Sequence, residues 1–264
     1  MPTSLPQSLL KEGFKEPSPN GYHRRLLLST QGLEGTGKTD LIFSAPDPIA
    51  LFDIDIGTEG VVEKYKGKKL IGIKQIRLSP DADQDDYKAS YEEFKKSFAR
   101  TVRNKDVRTI AIDSASDLWD LIKLAKLGVL NPQKKPEHTF DAINSEYRAI
   151  LREVLFAEHY PNLILTHKMK KQYVAKARRK ANGETYQSSE WEGNYERHGF
   201  SDREYIVQAN IEQFYDRETK QFGYQIEKCR PNGSLVGDRI LGSELTTFPE
   251  IAAYMTGSSP EDWK

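Results

Sequence analysis

The chain has 264 residues, with 39 basic and 39 acidic side chains, a formal net charge of zero and a single cysteine. That length suits one large α/β domain with a well-covered core, and the charge balance excludes a global attraction to nucleic acid, so any such attraction must come from local segregation of charge. Cys229 alone cannot form an internal disulfide framework or a cysteine-based zinc site, and no run approaches the ~20 apolar residues of a membrane span.

Residues 1–24 carry prolines at 2, 6, 17 and 19 and no apolar core of signal-peptide length, so they are expected to form a loosely ordered arm that could pack on a neighbouring subunit. The setting expected is the cytoplasm, with no membrane partner. Residues 25–256 are expected to form the core and 257–264 a C-terminal tail. Arg25 to Thr30 reads as a buried strand ending in glycines, followed by a strand from Pro48 to Asp55 that turns abruptly acidic. A third strand, "LIGIKQIRL", leads to "DADQDDY", whose acidic first turn suits a helix start. Tyr87, Tyr91, Phe94, Phe98 and Val102 then recur at steps of four, three, four and four, the packing face of a helix. Val107 to Ile112 predicts a strand ending at Asp113, and Ser114 or Ser116 can cap the helix that follows. Ile143, Tyr147, Ile150, Leu151, Val154 and Leu155 mark another helix, and "NLILTH" another buried strand. Beyond Ser201 come two strands around a polar turn and the short "GDRILG". The predicted fold is α/β: a mainly parallel sheet flanked by helices, with antiparallel strands at its C-terminal end.

Gly32-Leu33-Glu34-Gly35-Thr36-Gly37-Lys38-Thr39 fits G-x-x-x-x-G-K-[ST] between a predicted strand and a predicted helix. Glycines let backbone N–H groups wrap an anionic phosphate chain, Lys38 reaches its β and γ phosphates, and Thr39 ligates Mg²⁺. A random chain of this length matches the spacing about once in a hundred. Such a loop needs an acid at a neighbouring strand end to hold the metal or its water, and Asp113 is placed for it, unless it merely caps the next helix. Asp53, Asp55 and Glu59 stand at another strand end as candidates for orienting an attacking water.

On these residues the chain resembles the RecA-like ATPases, and within them the phage single-strand annealing proteins, a group of phage nucleotide-binding AAA-type proteins; the resemblance spans roughly residues 25 to 250. It implies ATP and Mg²⁺ as cofactors, DNA-stimulated ATP hydrolysis, and assembly into a ring or filament. The family's D-x-E pair appears here as Asp53-Ile54-Asp55, one methylene short, so Asp55 reaches by a small shift, Glu59 takes over, or hydrolysis is slow. Thr166-His167 occupies the place of a γ-phosphate sensor. Lys228-Cys229-Arg230 has the K-x-R spacing that in RecA crosses the subunit interface to a neighbour's phosphates; strand alternation puts both bases on one face. Single-stranded DNA and further copies of the chain are the implied partners, with a phage single-strand-binding protein a further one.

"HKMKKQYVAKARRK", from His167 to Lys180, carries seven bases and no acid: Lys168, Lys170, Lys171, Lys176, Arg178, Arg179 and Lys180. The next stretch has four acids and no base, and adds Tyr186, Trp191 and Tyr195. Bases for phosphates and aromatics for stacking suit single-stranded nucleic acid, in a loop insertion at about 167–203, though a solvated insertion would read alike. The acidic half could also mask the basic half. Two rival readings stay open: a P-loop kinase with Arg178 and Arg179 in a closing lid, and a nucleotide-gated scaffold that does not hydrolyse.

Overall fold

Leu26 and Leu28 pack with one set of helices and Leu27 with another, and the same division runs through each central strand of the protein. A computed structural model describes residues 7–12, 25–77, 79, 81–130, 139–179, 185–200 and 206–264. The first strands are β1 (Leu27–Gly32), β2 (Ile49–Asp53), β3 (Ile71–Gln75), β4 (Thr109–Asp113) and β5 (Asn162–His167). Then come β6 (Met169–Arg179), β7 (Thr185–Arg197), β8 (Ala209–Asp216), β9 (Gln221–Cys229) and β10 (Arg239–Leu241). The helices are α1 (Gln7–Lys11), α2 (Lys38–Ser44), α3 (Gln84–Arg103), α4 (Ala115–Leu127), α5 (Thr139–Leu155) and α6 (Phe248–Thr256).

Eight strands form one sheet in the order β10-β9-β8-β1-β5-β4-β2-β3. From β8 to β3 every pairing is parallel, while β9 and β10 add antiparallel at the far edge, as the expected α/β sheet with C-terminal antiparallel strands requires. Because successive residues of a strand face opposite sides, a continuous apolar run serves two cores. Leu27, Phe52, Ile110, Ile112, Leu163 and Leu165 meet α3, α4 and α5 on one face; Leu28, Leu51, Ala111 and Ile164 meet α2 and α6 on the other.

The aromatic stripe of α3 is core. Phe94 stacks on Phe98 at 5.5 Å between ring centroids and meets Phe52 edge-on at 5.2 Å. Asp83 caps this helix by accepting from the Asp85 and Asp86 N–H groups. Of the two candidate caps of α4, Ser114 accepts from the Asp117 N–H, and Ser116 instead donates to the His198 carbonyl at 2.7 Å.

The insertion is more regular than the loop expected from its charge. β6 and β7 pair antiparallel as a separate two-stranded ribbon, and His167 belongs to β5. Aromatic and β-branched residues at Tyr173, Val174, Trp191 and Tyr195 favour the pleat, and Lys170 opposite Glu196 supplies a cross-strand charge pair. A lone hairpin is marginal, so its base is tied to the sheet. The His198 N–H donates to the Lys168 carbonyl at 2.8 Å, and the Arg197 guanidinium bonds Gln31, Ser29 and Asn210 on β1 and β8. Lys180 lies outside the described residues.

Residues 257–264 are also anchored. Trp263 is 3% exposed, lies 6.1 Å from the Phe248 ring, and donates its indole N–H to Ser258 at 2.8 Å. Trp263→Ala is therefore expected to lower the free energy of unfolding by about 3 kcal/mol. Denaturant titration checks this; a loss near zero would mean that the segment frays without cost.

Candidate active site

The turn between β1 and α2 is held by close approach. A Cβ on Gly32 would lie 2.5 Å from Thr36 Oγ1 and 2.6 Å from the Gln213 carbonyl oxygen, so no larger residue fits. Gly37, at φ 92°, takes the left-handed conformation that turns the chain into the helix. Among the described residues no side chain caps α2, so its first N–H groups have no side-chain acceptor there. Thr36 Oγ1 donates to the Leu33 carbonyl at 2.8 Å, and Lys38 Nζ donates to the Gly32 and Leu33 carbonyls at 2.9 and 2.7 Å. Burial pulls the Lys38 pKa below its ordinary value, against the charges of Asp113, Asp55 and Glu34.

Asp113 ends β4 directly behind this turn. Its Oδ2 accepts from Thr39 Oγ1 at 3.0 Å and its Oδ1 from Thr166 Oγ1, so two hydroxyls on neighbouring elements converge on one carboxylate. Burial pushes the Asp113 carboxyl up to about 6; the Thr166 and Thr39 hydrogen bonds oppose that rise, and the Asp55 and Asp53 charges add to it. Thr39 and Asp113 are hard oxygen donors within 3.0 Å of each other, which fits Mg²⁺ sharing one or two protein oxygens with phosphate and water.

A cleft of about 760 Å³ opens over this pair. All eight residues from Gly32 to Thr39 line it, together with Asp55, Asp113 and Lys168. Of the acids considered for the water, Asp55 alone reaches the lining. The chain leaves β2 at Asp53 and bends where the Ile54 and Asp55 N–H groups both meet the Asp113 carbonyl, which carries Asp55 to the wall. Its Oδ1 accepts from the Gly57 N–H at 2.9 Å and its Oδ2 lies 3.7 Å from Lys168 Nζ. Asp53 is fully buried in register with Asp113; its Oδ2 accepts from Thr58 at 2.6 Å, and its Oδ1 has no partner among the described residues. Glu59 is exposed and off the lining. His167 is buried in β5 opposite Gln31, also off the lining. Asp40, beside Thr39, also lines the cleft, as do Lys64 from the short 3-10 helix Val62–Tyr65 and Phe222 from β9, neither of which the spacing of the glycine turn signals. A second cleft, of about 510 Å³ and including Arg103, Phe156 and His159, lies at the opposite end of the strands and gathers no glycine turn.

The ribbon sorts its residues by face. Lys170 pairs with Glu196 at 3.2 Å, Lys176 with Glu190 at 3.8 Å, and Arg178 Nε with Glu190 at 2.6 Å. On the other face Lys171 Nζ sits 4.6 Å over the Trp191 ring, Trp191 meets Tyr195 at 5.8 Å, and Tyr173 lies opposite Trp191 in register. All three aromatics are exposed. Arg179 is the last residue of β6. Lys168 does not join the run: its Nζ turns to Asp117 at 2.8 Å in the cleft wall. Lys228 Nζ donates to the Val207 carbonyl at 2.8 Å and the Arg230 N–H to the Gln208 carbonyl at 2.8 Å, both at the end of β9 remote from the chain's own cleft.

No protein-family model matches the chain, and no curated protein matches it. Among solved structures it is similar to the crystal structure of the RadB recombinase, with a TM-score of 0.42 and 13% identity over 79% of this chain and 84% of that one. No helix among the described residues is long and apolar enough to cross a membrane.

The raised Asp113 pKa carries a stability cost. A carboxyl with a higher pKa folded than unfolded destabilises the protein in its ionised form; the cost is full above about pH 6 and disappears as pH falls to the ordinary carboxylate range. Asp113→Asn is thus expected to raise stability at pH 8 by on the order of 2 kcal/mol, with the gain closing towards pH 4. Thermal melts of the two proteins across that range check the sign.

Proposed function

We propose that the chain is an ATPase that binds single-stranded DNA and assembles with further copies of itself to promote strand annealing or recombination in phage DNA replication. The observation that carries the ATPase part is the convergence of Lys38, Thr39, Asp113 and Asp55 on one cleft lined by the whole glycine turn. In this reading the exposed N–H groups of the turn take the phosphates, and Lys38 leaves the Gly32 and Leu33 carbonyls for them. Thr39 and Asp113 would hold Mg²⁺, which would supply neutralising charge at the phosphates. Asp55 orients the attacking water and accepts its proton, because of the three acids near the end of β2 it is the one that lines the cleft. The DNA part rests on the ribbon, which starts where Lys168 and Met169 line the cleft and exposes Tyr173, Trp191 and Tyr195 beside Lys171. Lys228 and Arg230 would serve a neighbour's cleft in a ring or filament, since they lie far from their own.

Lys38→Ala is expected to abolish ATP turnover with the fold intact, and Asp55→Asn to cut kcat far more than nucleotide affinity, as a group acting on the water should. Steady-state ATPase rates and nucleotide titration, with and without single-stranded DNA, check both. Normal turnover in folded Lys38→Ala would remove the ATPase reading, and a phosphorylated acceptor in place of released phosphate would make the chain a kinase.

The ion pairs of the ribbon give a second test. If Glu190 and Glu196 compete with DNA phosphates for Lys170, Lys176 and Arg178, the double change to glutamine should tighten single-strand binding. Alanine at the three bases should flatten the slope of log affinity against log salt by at most about 2, since each full phosphate contact contributes about 0.7. Trp191 fluorescence should fall on binding. Unchanged affinity and slope in both variants would show a solvated ribbon.

A further inference from the structure

The segment from Asp53 to Thr58 carries Asp55 out of the sheet, and its path is fixed at several points. The Ile54 and Asp55 N–H groups meet the Asp113 carbonyl. Asp55 Oδ1 accepts from the Gly57 N–H at 2.9 Å, a turn that an aspartate closes on its own backbone two residues on. Ile56 sits inside that turn at φ 60°, in the left-handed region that a β-branched residue enters only under constraint. Thr58, which is buried, closes the segment by donating to Asp53 Oδ2 at 2.6 Å. A Cβ on Gly57 would stand 2.7 Å from Asp55 Oδ1, so the bare glycine leaves the space that the carboxylate fills.

Resting on the nucleotide reading above, in which Asp55 orients the attacking water, we propose that this segment is built for an aspartate and not for a glutamate. Gly57 and Thr58 are then positioning residues for that acid, and the missing methylene is a fitted length. Three features support this. First, a glutamate carboxylate is one methylene further from the backbone, so it cannot close the same short turn onto the Gly57 N–H. Second, strain of the kind seen at Ile56 persists only where the surroundings over-determine it, and here the Gly57 N–H bond and the Thr58 hydroxyl lie on its C-terminal side and the Asp113 carbonyl on its N-terminal side. Third, Asp53 is fully buried and off the cleft lining, and its Oδ2 serves Thr58, so the first acid of the Asp53-Ile54-Asp55 pair holds the loop that presents the second.

The test is steady-state ATPase kinetics, titration with a non-hydrolysable ATP analogue and thermal melts of the full chain, for the parent, Asp55→Asn, Asp55→Glu, Gly57→Ala, Thr58→Val and Thr58→Ser. Gly57→Ala displaces only the end of a side chain, so its melting temperature should stay within about 2 °C of the parent's. Its kcat should nonetheless fall about tenfold or more, since a misplacement of about 1 Å at a reacting group can cost about a hundredfold. Analogue affinity should change by less than about threefold, the split expected of residues that act on the water through Asp55. Asp55→Glu should lower kcat by a similar factor. Thr58→Val should do the same, and Thr58→Ser, which keeps the hydroxyl, should recover most of that loss. An unchanged or higher kcat in Asp55→Glu overturns the proposal, as does a parent-like kcat in Gly57→Ala or an equal loss in Thr58→Ser and Thr58→Val. Where Thr58→Val does not fold, Gly57→Ala and Asp55→Glu decide. Normal turnover in Asp55→Asn would instead remove Asp55 as the water-orienting acid, and a parent without turnover would remove the ATPase reading; the proposal falls with either.

Discussion

Asp113 is a carboxylate held where water scarcely reaches, and the cleft end of the molecule is arranged around satisfying it. Thr39 at the start of α2 and Thr166 near the end of β5 each donate to one of its oxygens. Its carbonyl receives the Ile54 and Asp55 N–H groups as the chain leaves β2. One residue thereby registers the helix after the glycine turn, two neighbouring strands and Asp55 in the cleft lining. Burial makes its charge expensive, and the two hydroxyls offset only part of that cost.

The parallel sheet makes this convergence possible. In a parallel sheet all strand ends of one sense lie along one edge, so residues from β1, β2, β4 and β5 that are remote in the chain become neighbours. Gly32, Asp53, Asp113 and Thr166 all stand at such ends. The two apolar cores, one per face, hold that edge rigid while leaving its loops open.

The ribbon solves a different problem. Its order comes from strand pairing and from anchors at its base, chiefly Arg197 on the strands beside the glycine turn. Its bases are not displayed as a free positive surface: three of them answer acids on β7, and the exposed aromatics occupy the other face. A single-stranded ligand would thus meet rings first and charge by exchange, an arrangement that favours stacking over simple counterion attraction.

Local patterning alone determined much of this. The spacing of Gly32 to Thr39 marks one wall of the cleft, because eight consecutive residues between a strand and a helix have little choice of path. The α3 stripe from Tyr91 to Val102 follows from the helical period of 3.6, and the central strands from short continuous apolar runs that a two-faced sheet buries on both sides. What tertiary structure decided were the choices among equals. Asp53, Asp55 and Glu59 are indistinguishable as acids near a strand end, and the bend at Ile54 separates them. Lys168 belongs by composition to the basic run, yet Ser116 and His198 pin its backbone so that its ammonium turns to Asp117. The ribbon in place of a loop, and Phe222 in the cleft wall, likewise depend on contacts between residues far apart in the chain. A sequence records which charges and shapes are present, but the direction in which a side chain points is fixed by what the rest of the fold places around it.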